Sequence, residues 1–472
     1  MLVVIDKRKT IMRIVIFGTG AYYEKYKKYF HDVTIIALLD NSSNKIGKEM
    51  DGVKIHKPID VLKMDFDRIY VLSFLYQEMT DQLISMGISK GSIFYFYDIA
   101  ELDYSHRLSV NINYLDKIKE PSIAIISDDF KFSGAQFVLM DAVSVFINAG
   151  YSVVIASPVH GKMEEYLHNM NVPIIIDERI AFGKLSDIEW LSDFSFVFVN
   201  TMTFFHLLLK RDMAIPVLLW LHEPEVFYGD KYKEKIYEIM GENLYVYAVS
   251  NVAKKAWIKH SNLRDIDIFT IGRKEIGTHY QDIVKQKNVF LMVGEICELK
   301  GQRILCNALE FMRDDDLDKI EIHIVGRVQK NYDISYLKKW ENKGIIKVIE
   351  EIPREELELK YEQCEVLICA SKADSLPTVV IEAMQHYKPS IVSDAAGIID
   401  YLEDMENAII FPSENARILS QKMLWCIQNK DLVRDMGRKA RAVYESFFTM
   451  EIFEKNLLKI VKEIGENKKC ER

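Results

Sequence analysis

Two acids eight residues apart, Asp374 and Glu382, bracket a stretch that could hold a phosphorylated sugar. Asp374 is followed by Ser375, Leu376, Pro377 and Thr378, and Glu382 by Ala383 and Met384. The preceding residues 364–371, CEVLICAS, are apolar with β-branched members and predict a buried strand. Pro377 suits the first position of a helix, where a missing N–H is no loss. The N–H groups of Thr378 and Val379 would then point out of the helix tip and, with the dipole, attract an anion. Thr378 and Glu382 share one helix face, about 6 Å apart along the axis. A diphosphate at the tip would set a ribose near Glu382, whose two oxygens can accept both hydroxyls of a cis-diol. Asp374 would stand on the other side of the phosphates, where a sugar would be. The layout suits a nucleotide sugar.

The spacing resembles the acidic-x7-acidic motif of retaining glycosyltransferases with the GT-B fold, glycosyltransferase family 4 in particular. SKADSLPTVVIEAMQHYKPSIVSDAAGI is similar to that family's segment Ser-Arg-x-Glu/Asp-x-x-Pro-x-x-x-x-Glu-Ala-Met-x-x-x-x-Pro, continuing into a loop at Ala396-Gly397. Upstream, residues 288–309, NVFLMVGEICELKGQRILCNAL, predict a strand, a turn at Gly294, a loop, and a helix after Gly301. This block resembles the first strand of the family's C-terminal domain, with its Gly-Arg loop and Lys-Gly pair. The resemblance implies that Lys300 clamps the donor diphosphate and that Gly294 and Gly301 shape its loop. Glu295 stands where the family has Arg. One charge-assisted hydrogen bond of roughly 1.5–3 kcal/mol is then missing from the clamp. Glu295 is expected to turn away from the phosphates, with Arg303 and Arg327 as candidate replacements.

Residues 215–221, IPVLLWL, form a β-like run ending at His222-Glu223-Pro224, where α/β folds place ligand groups. The resemblance implies that His222 contacts the donor sugar; a structural histidine is the alternative. Ser133-Gly134-Ala135 resembles the family's small-residue loop near the donor phosphates and the acceptor. Gly134 reads equally well as helix-start punctuation.

The bulk numbers set outer bounds. The chain has 472 residues, enough for two or three domains, with 49% hydrophobic and 28% charged residues, as in ordinary globular proteins. A formal net charge of −9 argues against a general nucleic-acid surface. Six cysteines without a CxxC pair fit a reducing cytoplasm. No apolar run approaches the ~18–20 residues of a membrane span, and the opening MLVVI is too short for a signal-peptide core. A cytoplasmic protein, if membrane-associated then peripheral at the inner face, is the expectation.

Strand-like and helix-like segments alternate almost throughout, which predicts an α/β protein with parallel sheets. Residues 1–11 read as an extension, 12–104 as a small Rossmann-like domain, 121–272 as the acceptor domain and 288–447 as the donor domain. Residues 105–120 and 273–287 read as connections, and 448–472 as an amphipathic helix, which the GT-B resemblance implies packs back across the N-terminal domain. The fold expected is GT-B, two Rossmann-like domains facing a cleft, preceded by a third. In the first block Gly18-Thr19-Gly20, with Asp40 twenty residues on, resembles a dinucleotide fingerprint, but Tyr23 occupies the third glycine position. The block lacks a Ser-Tyr-x-x-x-Lys set and resembles small Rossmann-like domains at the ends of some polysaccharide-biosynthesis proteins. A structural or partner-binding role and nucleotide binding both stay open. Its helix AYYEKYKKYF mixes Tyr and Lys and could meet an anionic lipid surface or simply face water.

The resemblance implies a glycosyltransferase that retains configuration and needs no metal or cofactor. Its donor would be a nucleotide sugar, a UDP-sugar first, and its acceptor a glycan, lipid-linked or protein hydroxyl in surface polysaccharide or glycoprotein glycan synthesis. No Asp-x-Asp lies in a loop suited to a metal; Asp314, Asp315 and Asp316 read as an acidic helix end. Lys300, Asp374 and His222 would be the catalytic groups, Lys300 on the leaving diphosphate and Asp374 and His222 on the donor sugar, with Glu382, Thr378, Val379, Gly294, Gly301 and Gly134 holding the donor. A homo-oligomer contact stays open. The competing readings are an NAD-dependent sugar-nucleotide oxidoreductase using Gly18, Gly20 and Asp40, and a non-catalytic GT-B-like binding subunit.

Overall fold

The computed structural model describes residues 11–31, 33–73, 76–101, 110–111, 118–130, 134–228, 239, 241–261, 265–276, 287–330 and 332–470. Most of the proposed extension, Ser133, much of 105–120 and residues 277–286 of the linker lie outside that set. The described chain builds three sheets. The first contains β1 (Met12–Phe17), β2 (Val33–Leu39), β3 (Glu49–Met50), β4 (Val53–His56), β5 (Arg68–Val71) and β6 (Ile93–Tyr95), in the order β3-β4-β2-β1-β5-β6. The second contains β7 (Val110–Asn111), β8 (Ser122–Ile126), β9 (Ser152–Ser157), β10 (Ile174–Asp177), β11 (Phe196–Val199), β12 (Val217–Leu221), β13 (Leu244–Ala248) and β14 (Asp267–Ile268). Its order is β14-β13-β12-β11-β8-β9-β10-β7, parallel except for β7 at the edge. The third contains β15 (Asn288–Val293), β16 (Ile320–Val325), β17 (Ile346–Ile349), β18 (Val366–Cys369), β19 (Ser390–Ser393) and β20 (Ile409–Phe411), ordered β17-β16-β15-β18-β19-β20.

In the second and third sheets the order of growth reverses beside a central strand, between β8 and β11 and between β15 and β18. The crevice beyond the carboxyl ends of such strands is where open α/β sheets bind ligands. The apolar runs read from the sequence are continuous because both faces of these sheets are covered. Along β15, Val289 and Leu291 join a core shared with the second sheet's unit, while Phe290 and Met292 join a separate core of the third unit.

The first unit docks on the second through rings. Tyr29 meets Phe182 at 4.6 Å, Phe96 meets His206 at 5.3 Å, and Tyr97 meets Phe205 at 5.7 Å. The segment AYYEKYKKYF therefore uses its tyrosines in packing against its own unit and the second. Tyr23, Tyr26 and Tyr29 are buried, while Lys27 pairs with Asp51 at 2.8 Å. Packing accounts for the tyrosines of that segment. At the other end, the helix Met450–Cys470 buries Phe453, Leu457, Ile460, Val461 and Ile464 at helical spacing. Phe453 stacks on Phe269 at 5.1 Å and Trp220 at 6.0 Å, so the last helix packs on the second unit.

Candidate functional site

Two helix tips, at Gly134 and Thr378, approach each other where the second and third units meet. The helix Gln302–Leu309 follows Gly301, whose φ of 81° is left-handed. A Cβ there would lie 2.0 Å from the carbonyl oxygen of Ala370, just beyond β18. Only glycine permits that approach. The approach sets Lys300 beside the loop after β18, where its ammonium donates to Asp374 Oδ2 at 2.6 Å. The Asp374 carboxylate raises the pKa of Lys300 and keeps it charged. Lys300 is 36% exposed and Asp374 12%, so the pair sits at a mouth and not in the interior.

The helix carrying Glu382 spans Thr378–Gln385, with Pro377 as its N-cap residue. Pro377 thus stands one position earlier than the first-turn place expected, because its ψ of 104° is extended and not helical. The correction leaves the tip where it was sought. Val380 N–H donates to Pro377 O at 3.1 Å, while the Thr378 and Val379 amides precede any possible intrahelical acceptor. Across the cleft lies the start of the helix Gly134–Asn148. A Cβ on Gly134 would lie 3.6 Å from Thr378 Oγ1, so two helix tips from different units face each other.

Glu382 has a different environment from the open ribose acceptor expected. It is 4% exposed. Its Oε1 accepts from Arg273 Nη2 at 2.5 Å and Arg354 Nη1 at 3.0 Å, and its Oε2 from the Tyr361 hydroxyl at 2.8 Å. Burial pushes its pKa up, but the two guanidiniums and the phenol more than offset that and hold it below the usual range. A buried carboxylate must find such partners. Arg273 also approaches Asp141 of the Gly134–Asn148 helix, at 3.8 Å. Burial raises the Asp141 pKa to about 6 against the pull of Arg273, Lys274 and Arg354. Arg273 therefore bridges the two units. None of Arg273, Arg354, Tyr361 and Asp141 stood out in the sequence, since no local pattern marks them.

His222 follows β12, its ring edge-on to Trp220 at 4.4 Å, and its Nε2 lies 3.1 Å from Asn200 Oδ1. Burial lowers its pKa to about 3, so the ring is neutral. Nε2 then carries the proton that Asn200 accepts, leaving Nδ1 as an acceptor. Glu223 is a strut: it accepts from Thr201 Oγ1, from Met202 N at 3.0 Å and from His222 N at 3.1 Å. Asn200 and Thr201, at the end of β11, are the additions here that the sequence reading missed.

At the clamp loop, Glu295 pairs with Arg327 at 3.2 Å. Arg303 instead lies over the Tyr336 ring at 4.2 Å. In the first unit, Asp40 Oδ2 accepts from Thr19 Oγ1, from Thr19 N at 3.3 Å and from Lys45 at 3.1 Å, and Oδ1 accepts from Ser42 N at 2.8 Å. Burial raises its pKa, but these donors outweigh it and the carboxyl sits below its usual range. Gly18 donates to Leu39 O at 2.9 Å, Gly20 caps a helix of six residues (Ala21–Tyr26), and Tyr23 is buried against Asp51 at 2.9 Å. The carboxylate sought for a ribose there is spent on Thr19, Ser42 and Lys45. Among the described residues no group of three or more His, Cys, Asp or Glu could hold a metal, and no helix is long and apolar enough to cross a membrane.

Comparisons with known proteins fit this geometry. Residues 279–443 match the family model of glycosyl transferases group 1, and residues 10–94 match the model C2185-like, N-terminal. An uncharacterized glycosyltransferase of Methanocaldococcus jannaschii is 26% identical over 255 residues, 51% of this chain and 66% of that one. The capsular polysaccharide biosynthesis glycosyltransferase CapH of Staphylococcus aureus is 28% identical over 145 residues, 29% of this chain and 39% of its own. Spore coat protein SA of Bacillus subtilis is 24% identical over 40% of this chain and 50% of its own. The matched stretches thus span less than two thirds of these relatives' length. Among solved structures, Anabaena HepE with UDP-glucose superimposes with a TM-score of 0.61 at 14% identity, covering 72% of this chain and 99% of that one. Sucrose-phosphate synthase from Thermosynechococcus elongatus gives a TM-score of 0.61 at 15% identity, covering 73% and 99%. The chain has the GT-B fold, and its third unit matches the glycosyl transferases group 1 family model.

Proposed function

We propose that the chain is a glycosyltransferase that moves a sugar from a nucleotide-diphosphate donor to an acceptor hydroxyl with retention of configuration. The observation that carries this reading is the Lys300–Asp374 pair beside the Thr378 helix tip, within the group 1 match. Negative charge develops on the leaving diphosphate, and stabilising it is the main task of such a site. Lys300 and the Thr378 and Val379 amides meet that charge. Asp374 holds Lys300 in place and, with the neutral His222 ring as acceptor, orients the sugar hydroxyls, which supplies positioning. Glu382, fixed by Arg273, Arg354 and Tyr361, meets the ribose side with the acceptor lone pair these bonds leave on Oε2. Gly134 keeps the facing tip free of side chain. The acceptor hydroxyl gives up its proton to a phosphate oxygen, so no protein nucleophile and no metal is demanded.

UDP-sugars are the donors to test first, because HepE was solved with UDP-glucose. A glycan acceptor in surface polysaccharide synthesis is supported by the likeness to CapH. The decisive experiment is a screen of UDP-, GDP- and ADP-sugars with detection of released nucleotide and of the product's anomeric configuration. Transfer with retention from one of them is expected. Binding without turnover across the whole set would favour a non-catalytic subunit, the reading to which Glu295 in place of an Arg lends support. The dehydrogenase reading loses ground to the closed Asp40 turn, and a thermal-shift series with NAD tests it directly.

A further inference from the structure

The clamp loop lacks its own cation, since residue 295 is Glu, yet a guanidinium reaches it from the neighbouring strand end. β15 and β16 run parallel in register to Val293 and Val325. Beyond them the two loops stay joined: Gly294 N–H donates to Val325 O at 2.9 Å and Ile296 N–H to Arg327 O at 2.8 Å. The loops touch because Gly326 has no side chain, for a Cβ there would lie 2.0 Å from Gly294 O. Arg327 is thereby held beside residue 295, and its Nη2 meets Glu295 Oε1 at 3.2 Å. The same loop borders the lysine of the clamp, as a Cβ on Gly294 would lie 3.9 Å from Lys300 Cδ and Cε. Gln302 Nε2 ties the loop down by donating to Glu295 O at 3.1 Å.

We propose that Arg327 is the second cation of the diphosphate clamp, delivered from the end of β16 and aimed by Glu295. A guanidinium has five donors in a rigid fork. One bond to Glu295 leaves Nη1 and Nε for phosphate oxygens, which arginine binds bidentately. Arg327 is 69% exposed and Glu295 39%, so an ion pair between them contributes little to stability and the arginine stays available to a ligand. Arg303 is the other cation near this loop in sequence, and its place over Tyr336 commits it elsewhere. The carboxylate at 295 thus fixes the arginine, whose guanidinium in turn cancels the negative charge that would otherwise repel a phosphate.

This assignment rests on the diphosphate reading of the site, and the test separates the two. Calorimetry would compare UDP and uridine on the wild type, Arg327→Gln, Lys300→Ala and the double variant Glu295→Arg/Arg327→Gln. Arg327→Gln should bind UDP tenfold or more weakly and uridine equally well, and the double variant should recover most of the loss. If Lys300→Ala weakens UDP binding while Arg327→Gln does not, Arg327 is no part of the clamp. An equal loss for uridine and UDP would make it a structural residue and also overturn the assignment. If neither variant changes UDP binding, the fault lies with the diphosphate reading itself.

Discussion

The first and third units both carry a glycine turn after their opening strand and a carboxylate at a neighbouring strand end, and only one of them leaves that end open. Around Gly18, Asp40 is satisfied by Ser42 and Lys45 of its own turn and by Thr19 of the glycine turn beside it. Around Gly294, the charged groups Lys300 and Asp374 face a cleft whose far wall is another unit, the Gly134 tip. The helix after the first turn has six residues, whereas the helices at the donor end have eight. A glycine turn at a sheet's switch point is therefore no site by itself. What makes one is a second body facing it and charges that local donors do not exhaust.

The largest effect expected from breaking this contrast is at Glu382. Glu382→Ala would leave Arg273 and Arg354 beside a vacated buried position and should cost about 3 kcal/mol of stability, read by urea unfolding. The same variant should weaken nucleotide-diphosphate binding tenfold or more, and near-wild-type affinity would remove Glu382 from the ribose side. Next, Lys300→Ala should lower turnover by about a hundredfold, roughly 2.7 kcal/mol, with a smaller change in donor KM. Free UDP, which carries the full leaving-group charge, should lose more affinity than the intact donor. The matched change in the first unit, Asp40→Asn, should leave turnover untouched. Equal losses from the two substitutions would erase the distinction between the units.

Acid should act on the seam between the first and second units. His206 is buried among Phe96, Phe204 and Phe205, accepts no solvent, and has its pKa lowered to about 3 by burial, with Lys25 and Lys184 adding to the effect. A depressed pKa means the unfolded chain binds the proton more readily. The stabilising contribution of neutral His206 is thus complete above about pH 6.5 and is lost as pH falls from there toward 3, at up to about 1.4 kcal/mol per pH unit. His222 titrates in the same direction over the same window. His206→Gln should flatten the fall of the thermal midpoint between pH 7 and 5; an unchanged slope would show that another group governs it.

Much of the architecture was legible because parallel strands buried on both faces are written as contiguous apolar runs, as in NVFLMV of β15 and VLIC of β18. Lys300, Asp374 and Thr378 were legible because each sits at a turn that follows such a run. The partners of Glu382 were not. Arg273, Arg354 and Tyr361 lie 109, 28 and 21 residues away, and nothing in their own surroundings distinguishes them from solvated side chains. Asn200 beside His222 is hidden for the same reason, being 22 residues distant at the end of another strand. Local pattern reports strand ends and helix tips, while pairing across elements is decided by the fold.

Phe453 has a consequence for how the molecule comes into being. Its ring rests on Trp220, and Trp220 in turn flanks the imidazole of His222. A ribosome that has finished the first 270 residues has therefore made every strand of the second sheet but not the aromatic wedge behind its candidate histidine. The support behind that histidine matures only when the last helix emerges and packs back. Severing the chain near residue 448 should consequently dull a site more than two hundred residues upstream.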